Sequence, residues 1–209
     1  MSNLSAVILS IMRLMTVWTE CLNSSPDELP EDSMPVKALV YQLHRLNFLL
    51  WNNEDEARRA DLDDATQVNV KRESHRLNQA RNDAIEKVDE WLLDNAYAHL
   101  TELNLPMRTE MPGSVFDRLS ILSLKIYHMA AQAHRLDVSD VHREVCQQKL
   151  AVLRTQQVDL EKALLEMFDD LNKGKIKMKI YRQFKMYNDP TLNPKLYGDS
   201  KLAEKPKGV

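Results

Sequence analysis

Glycine is scarce in this sequence, with four in 209 residues, and the eight prolines fall in a few clusters. Between Val36 and Leu105, and again between Ser114 and Lys173, neither residue occurs. Both interrupt helices and build tight turns, so these intervals leave room for long helices and almost no tight β-turns. There is no glycine loop for cradling phosphate, no Gly-x-Ser-x-Gly elbow, no His-Glu-x-x-His and no Cys-x-x-Cys. The two cysteines, Cys21 and Cys146, are too few for a disulfide framework or a thiolate metal site, and a reducing cytoplasm is expected. A formal net charge of -3, with both signs interleaved, provides no basic stripe for a phosphate backbone, and nucleic acid is not an expected partner. The most apolar N-terminal stretch, Ser5 to Met15, is broken by Arg13 and followed by no cleavage pattern. It predicts neither a signal peptide nor a membrane span of about 20 residues.

With 44% apolar and 28% charged residues, the chain can form a core of useful size. No composition shift marks a linker, so one helical domain is expected over residues 1–198, with a polar, disordered tail at 199–209. Helices are predicted over about Leu4–Leu22, Val36–Ala60, Ala65–Glu102 with a break near its end, Ser114–Leu136 and Ser139–Asn172. Pro26, Pro30 and Pro35 mark an acidic loop. Ser114 is the expected N-cap of the fourth helix, Asp137 or Ser139 that of the fifth, and Gly174 the fifth helix's stop. Ile176, Met178 and Ile180 alternate with lysines in the manner of a strand, but have no partner in a helical domain. Tyr181, Phe184, Tyr187 and Tyr197, set among basic residues, read as an arm packed across the bundle or onto a second subunit. The fold class expected is all-α: an up-and-down bundle of about five helices with an extended C-terminal arm.

At about 100° per residue, Leu39, Leu43, Leu46, Leu50 and Ala57 form the apolar stripe of the second helix. Asn47, Trp51, Glu54 and Arg58 form a column beside it and are expected to be at least half buried. On the third helix the stripe is Leu77, Ala84, Val88 and Leu92, with Lys71, Asn78, Asn82 and Asp89 on its shoulder and His75 and Glu86 further out. The fourth helix is apolar on two sides and should be central. One side is Phe116, Leu119, Leu122, Ile126 and Met129, and the other Ile121 and Leu124. Asp117 and His128 lie on the second side, and Arg118 and Lys125 on the boundary.

Buried charges must pair with each other or surround a ligand. The columns therefore admit three readings. One is a satisfied polar network that fixes helix register. Another is a Mg²⁺ site using Glu54 with Asp55, or Asp83 with Glu86, although Asp83 falls away from the core. The third is an anion clamp of Arg58, Arg118 and Lys125, with His128 or Asp117 as acid or base.

Two long runs on these helices, Asn47 to Arg58 and Leu77 to Glu86, and a third from Pro112 to Met129, resemble the bacterial family called Domain of Unknown Function 4254. Lys71-Arg72 and the segment Tyr181 to Pro190 share the resemblance. A second uncharacterised family is similar in the same two kinds of segment but in opposite chain order, which implies that they form one unit in space. Genes of these families are often found among those for lipopolysaccharide and other surface glycans, and this implies a cytoplasmic role in that pathway. His75 departs from the family pattern, where an acidic residue is usual, and is set aside.

The expectation is thus a polar site on the second, third and fourth helices. Glu54, Asp117 and His128 are the candidate catalytic groups, and Asn47, Trp51, Asp55, Arg58, Asn78, Asn82, Asp83, Glu86, Arg118 and Lys125 the candidate ligand contacts. The expected ligand is a small anion, a phosphorylated sugar or nucleotide sugar, with Mg²⁺ as a candidate cofactor and a homo-oligomer as a candidate assembly. The alternatives are an adaptor for a glycosyltransferase and a metal-dependent phosphohydrolase related to all-α nucleotide pyrophosphohydrolases, whose first Glu-x-x-Glu motif is missing here.

Overall fold

The structure, a computed structural model, describes residues 2–24, 34–184, 186 and 189–197. The expected acidic loop around Pro26 and Pro30, the arm residue Tyr187 and the 199–209 tail lie outside the described residues. The order is α1 (Ser2–Ser24), α2 (Pro35–Glu56), α3 (Asp64–Leu92), α4 (Pro112–Ala133), α5 (Asp140–Asn172) and a single turn, α6 (Pro194–Tyr197). Among the described residues there is no strand, and the fold is all-α. α4 packs against α1, α2, α3 and α5, the central position expected of a helix apolar on two sides.

α1 buries Ile8, Ile11, Met15, Trp18 and Leu22 against the bundle. By length and composition alone, Leu4–Ser24 is also apolar enough to cross a membrane. α2 stops at Glu56, short of the expected Ala60, and Asp63 starts α3 by accepting the Thr66 N–H at 2.7 Å. The break expected late in α3 is real: after Leu92 the backbone runs through a π turn, Leu93–Tyr97, and a 3₁₀ turn, Ala98–Leu100. At the start of α5, Ser139 caps the His142 N–H. At its end Gly174 takes φ 63°, with the Gly174 N–H on Leu171 O and the Lys175 N–H on Asp170 O. That paired closure satisfies the last carbonyls and requires the left-handed conformation glycine adopts without strain.

The alternation after Gly174 does reflect burial, although not a strand. Ile176 and Met178 join the core, while the Lys177 N–H donates to Pro106 O and its ammonium to Leu103 O. Beyond this stretch Tyr181 and Phe184 are exposed rather than packed across the bundle, and the segment is tied to α3 through Arg182 to Glu86 and Glu90.

α4 begins differently from expectation. Its N-cap is Met111, not Ser114, and Pro112 occupies the first helical position, where a missing N–H costs nothing. The cap comes from another helix: Asp89 on α3 accepts the Gly113 N–H at 2.7 Å. Helix approach here is so close that a Cβ on Gly113 would lie 2.6 Å from Ile85 O and 2.9 Å from Asp89 Oδ2. Gly113→Ala must push α4 off α3, and is expected to cost about 1–3 kcal/mol in urea denaturation. An unchanged midpoint would mean that the contact is not required.

Burial pushes the Asp89 carboxyl up to about 7, with the Gly113 N–H opposing and nearby Glu86 adding to the rise. Its folded pKa lies above the unfolded value of about 3.9, so the folded state holds the proton more tightly. The stability gained is complete below that unfolded value and is lost as pH rises through about 7. Asp89→Asn keeps an acceptor for Gly113 without a charge. Its melting temperature should therefore gain on the parent's steadily as pH is raised across that window, and a difference independent of pH would rule Asp89 out as the titrating group.

Candidate functional site

The buried face of α2 is Val36, Val40, Leu43 and Asn47, spaced four, three and four residues apart, with His44 fully buried beside it. That face is rotated from the predicted leucine stripe: Leu39, Leu46 and Leu50 are half-buried, and Ala57 is exposed past the helix end. The rotation carries polar groups into the centre. Asn47 Nδ2 donates to Asp117 Oδ1 at 2.9 Å and to Ser120 Oγ at 3.0 Å. Arg81 of α3 grips the same carboxylate with both arms of its fork, Nε donating to Oδ1 at 2.7 Å and the second nitrogen to Oδ2. The side chains of Asp117 and Arg81 are 7% and 23% exposed, so the pair is largely desolvated.

From Ser120 the network continues to α1. His44 Nδ1 lies 2.9 Å from Ser120 Oγ, and His44 Nε2 lies 3.1 Å from Thr19 Oγ1. The Thr19 hydroxyl proton is spent on Met15 O at 2.9 Å, so Thr19 must accept from the imidazole. His44 is therefore the neutral Nε2–H tautomer, with Nδ1 accepting from Ser120. Each hydroxyl, imidazole and amide donor from Thr19 to Asn47 then has an acceptor, and Arg81 commits two of its N–H groups to Asp117; of the polar columns expected to close on each other, Asn47 and Asp117 take part in this network. Burial lowers the His44 pKa to about 4. Since the shift is downward for a base, its contribution to stability is present above the unfolded pKa of about 6.5 and is lost as pH falls toward that value near 4.

Over this network opens a cleft of about 270 Å³ between α2, α3 and α4. Asn47, Trp51, Glu54 and Asp55 of α2 and Arg58 just past its end line it, with Arg81 across from them and Leu50, Ile121 and Leu124 as its apolar wall. The Trp51 indole stacks on the His128 imidazole, with centroids 4.7 Å apart and planes parallel. Trp51 Nε1 and His128 Nε2 are buried and, among the described residues, have no hydrogen-bond partner. Burial lowers the His128 pKa, opposed by the charge of Asp55. Glu54 is held from both sides: Oε1 accepts from Ser74 at 2.9 Å, and Oε2 pairs with Arg58 at 3.1 Å. It also lines a second groove, of about 650 Å³, that includes Asn78 and Lys71.

Other sequence candidates are placed differently from expectation. Arg58 reaches it but is 68% exposed, not half buried. Arg118 is exposed and paired with Glu110, and Lys125 is exposed, so these two do not form the expected inward clamp with Arg58. Long cations leave the hydrated surface only for a fixed anion, and here Arg81 already holds Asp117. Asp83 is exposed and accepts from Gln79, Glu86 accepts the Gln183 N–H and the Arg182 guanidinium, and Asn82 is half-buried outside the lining. Among the described residues no three His, Cys, Asp or Glu side chains gather as metal ligands. Sequence reasoning missed Arg81, Ser120, His44 and Thr19. The first two stand within the motif-like runs, and His44 is one turn from Asn47.

A family model matches residues 37–180, from α2 to the extended segment after α5. The chain belongs to this family, described as Protein of unknown function (DUF4254). No curated protein and no solved structure matches the chain significantly. All three walls of the cleft fall inside the DUF4254 region, whereas Thr19, the last member of the network, lies on α1 before it.

Asp117→Asn would leave the Arg81 guanidinium without its carboxylate, and is expected to cost about 3 kcal/mol, the lower end for a broken, largely buried pair. Adding Arg81→Met should cost less than the sum of the two single changes. Additive losses in denaturation would show that the two side chains are not coupled. Imidazole nitrogen NMR should find His44 neutral and protonated at Nε2 down to about pH 4.

Proposed function

We propose that the α2–α3–α4 cleft binds a small, anionic, hydroxyl-rich molecule, a phosphorylated sugar or nucleotide sugar used in surface-glycan synthesis. The observation that carries this reading is the set of donors and acceptors gathered in one cleft: the guanidinium groups of Arg58 and Arg81, the carboxylates of Glu54 and Asp55, and the Trp51 ring, whose N–H has no partner among the described residues. Guanidinium groups suit phosphate oxygens, carboxylates accept from sugar hydroxyls, and an indole offers an apolar face and a donor. The link to glycan synthesis rests on the family resemblance and the genetic surroundings it implies.

The arrangement supports binding better than acid–base catalysis. Asp117 is engaged by Arg81 and Asn47, and Glu54 keeps an exposed edge toward the cleft while it accepts from Ser74 and pairs with Arg58. A group so held positions its neighbours rather than exchanging protons. His128 is the remaining candidate for proton transfer, kept toward its neutral form by burial.

Isothermal titration of the full chain with glucose 1-phosphate and UDP-glucose, with and without Mg²⁺, tests the reading. Saturable binding is expected, and Arg58→Gln should weaken it about tenfold, equivalent to about 1.4 kcal/mol, without lowering the melting temperature. If neither compound gave heat or raised the melting temperature, the site reading would be wrong. Binding that required Mg²⁺, with turnover, would favour the phosphohydrolase alternative.

A further inference from the structure

A second cleft, of about 370 Å³, lies on the other side of α4, where α1 and α5 diverge. Ile126, Ala130 and Ala131 of α4 line it, together with Glu20 from α1 and Arg154 from α5. The volume suits a small organic molecule. Three features distinguish it from a gap between helices.

First, Ser123 lines it while only 5% exposed, and its Oγ has no hydrogen-bond partner among the described residues. A serine inside a helix ordinarily returns its hydroxyl to the carbonyl four residues back, as Thr19 does on the facing helix. Ser123 does not, so its hydroxyl is left to bond to whatever enters the cleft. Second, Arg154 and Glu20, both exposed on the lining, form no ion pair with a described residue and add a guanidinium and a carboxylate to the same cleft. Third, His134 uses Nδ1 on Ala130 O at 2.7 Å, which leaves Nε2 as the ring nitrogen available at the rim.

We infer that the α1–α4–α5 cleft is a second ligand site, for a small hydroxylated phosphate ester. Arg154 takes the phosphate through its planar fork, Glu20 accepts from a ligand hydroxyl, and Ser123 donates to or accepts from the ligand through its otherwise unpartnered hydroxyl. The apolar α4 lining takes the carbon face of the ligand. Thr19 also lines this cleft and is the first member of the hydrogen-bonded chain that ends at Arg81. The two clefts thus lie at opposite ends of one buried polar network. This site does not depend on the first being a ligand site, because none of its lining side chains is shared with it.

Residue-resolved NMR of the labelled full chain separates the two clefts, with glucose 1-phosphate as the probe and glucose as the uncharged control. Saturable shifts are expected at Ser123, Tyr127, Ala130 and Arg154 with glucose 1-phosphate, and none with glucose. Arg154→Gln should abolish them while leaving shifts around Trp51 and Asp55 intact. Ser123→Ala should weaken binding about tenfold and leave the melting temperature unchanged or higher, because no internal hydrogen bond is lost. The inference is overturned by any of three results: no saturable shift in these residues, equal shifts in the Arg154→Gln chain, or a melting temperature several degrees lower for Ser123→Ala.

Discussion

The carboxylate of Asp117 is where three helices meet. It stands on α4, is gripped by Arg81 from α3, and accepts from Asn47 on α2. A desolvated carboxylate is tolerated only when its lone pairs are filled by strong donors in good geometry, and this one has both arms of a guanidinium and an amide. The rotation of α2 follows from that requirement. To bring Asn47 to Asp117 the helix must turn its Val36–Val40–Leu43 edge inward, which buries His44 and obliges the imidazole to find partners in Ser120 and Thr19. The register of α1 is thereby tied to a charge it never touches.

A second polar contact sets the distance between α3 and α4. Asp89 supplies the cap that the start of α4 lacks locally, and Pro112 followed by Gly113 is what permits the close approach: one has no N–H to satisfy, the other no Cβ to collide. With Asp117–Arg81 further along, the two helices are joined at both contacts. The cleft opens where α2 passes over this pair, so its lining residues Asn47 and Arg81 have one side in the network and the other toward the cavity. The network and site readings of the polar columns are therefore not exclusive. The inner members close on each other, and Trp51, Asp55 and Arg58 remain around the opening.

Much of the architecture was legible from spacing alone. Five long helices, the stop at Gly174, the cap at Ser139 and the break after Leu92 follow from local chemistry, which the chain expresses within a few residues. The apolar stripe of α3 is correct because Leu77, Ala84, Val88 and Leu92 outweigh their neighbours. The α2 stripe was misplaced because leucines were counted as core and Asn47 and His44 as its margin. Burial there was decided by partners on other helices. The cap at Asp89 escaped for a related reason, being 24 residues from the N–H it serves.

Fold class and the polar content of the helix faces were properties of the sequence itself. Glycine and proline placement sets where helices can run, and the same runs that carry the family resemblance also supply Asn47, Trp51, Arg81, Asp117 and His128. Which of these polar groups close on each other was decided only by tertiary structure. A carboxylate's partner is chosen by distance and desolvation in three dimensions, and no helical period encodes that Arg81, rather than Arg58, Arg118 or Lys125, reaches Asp117.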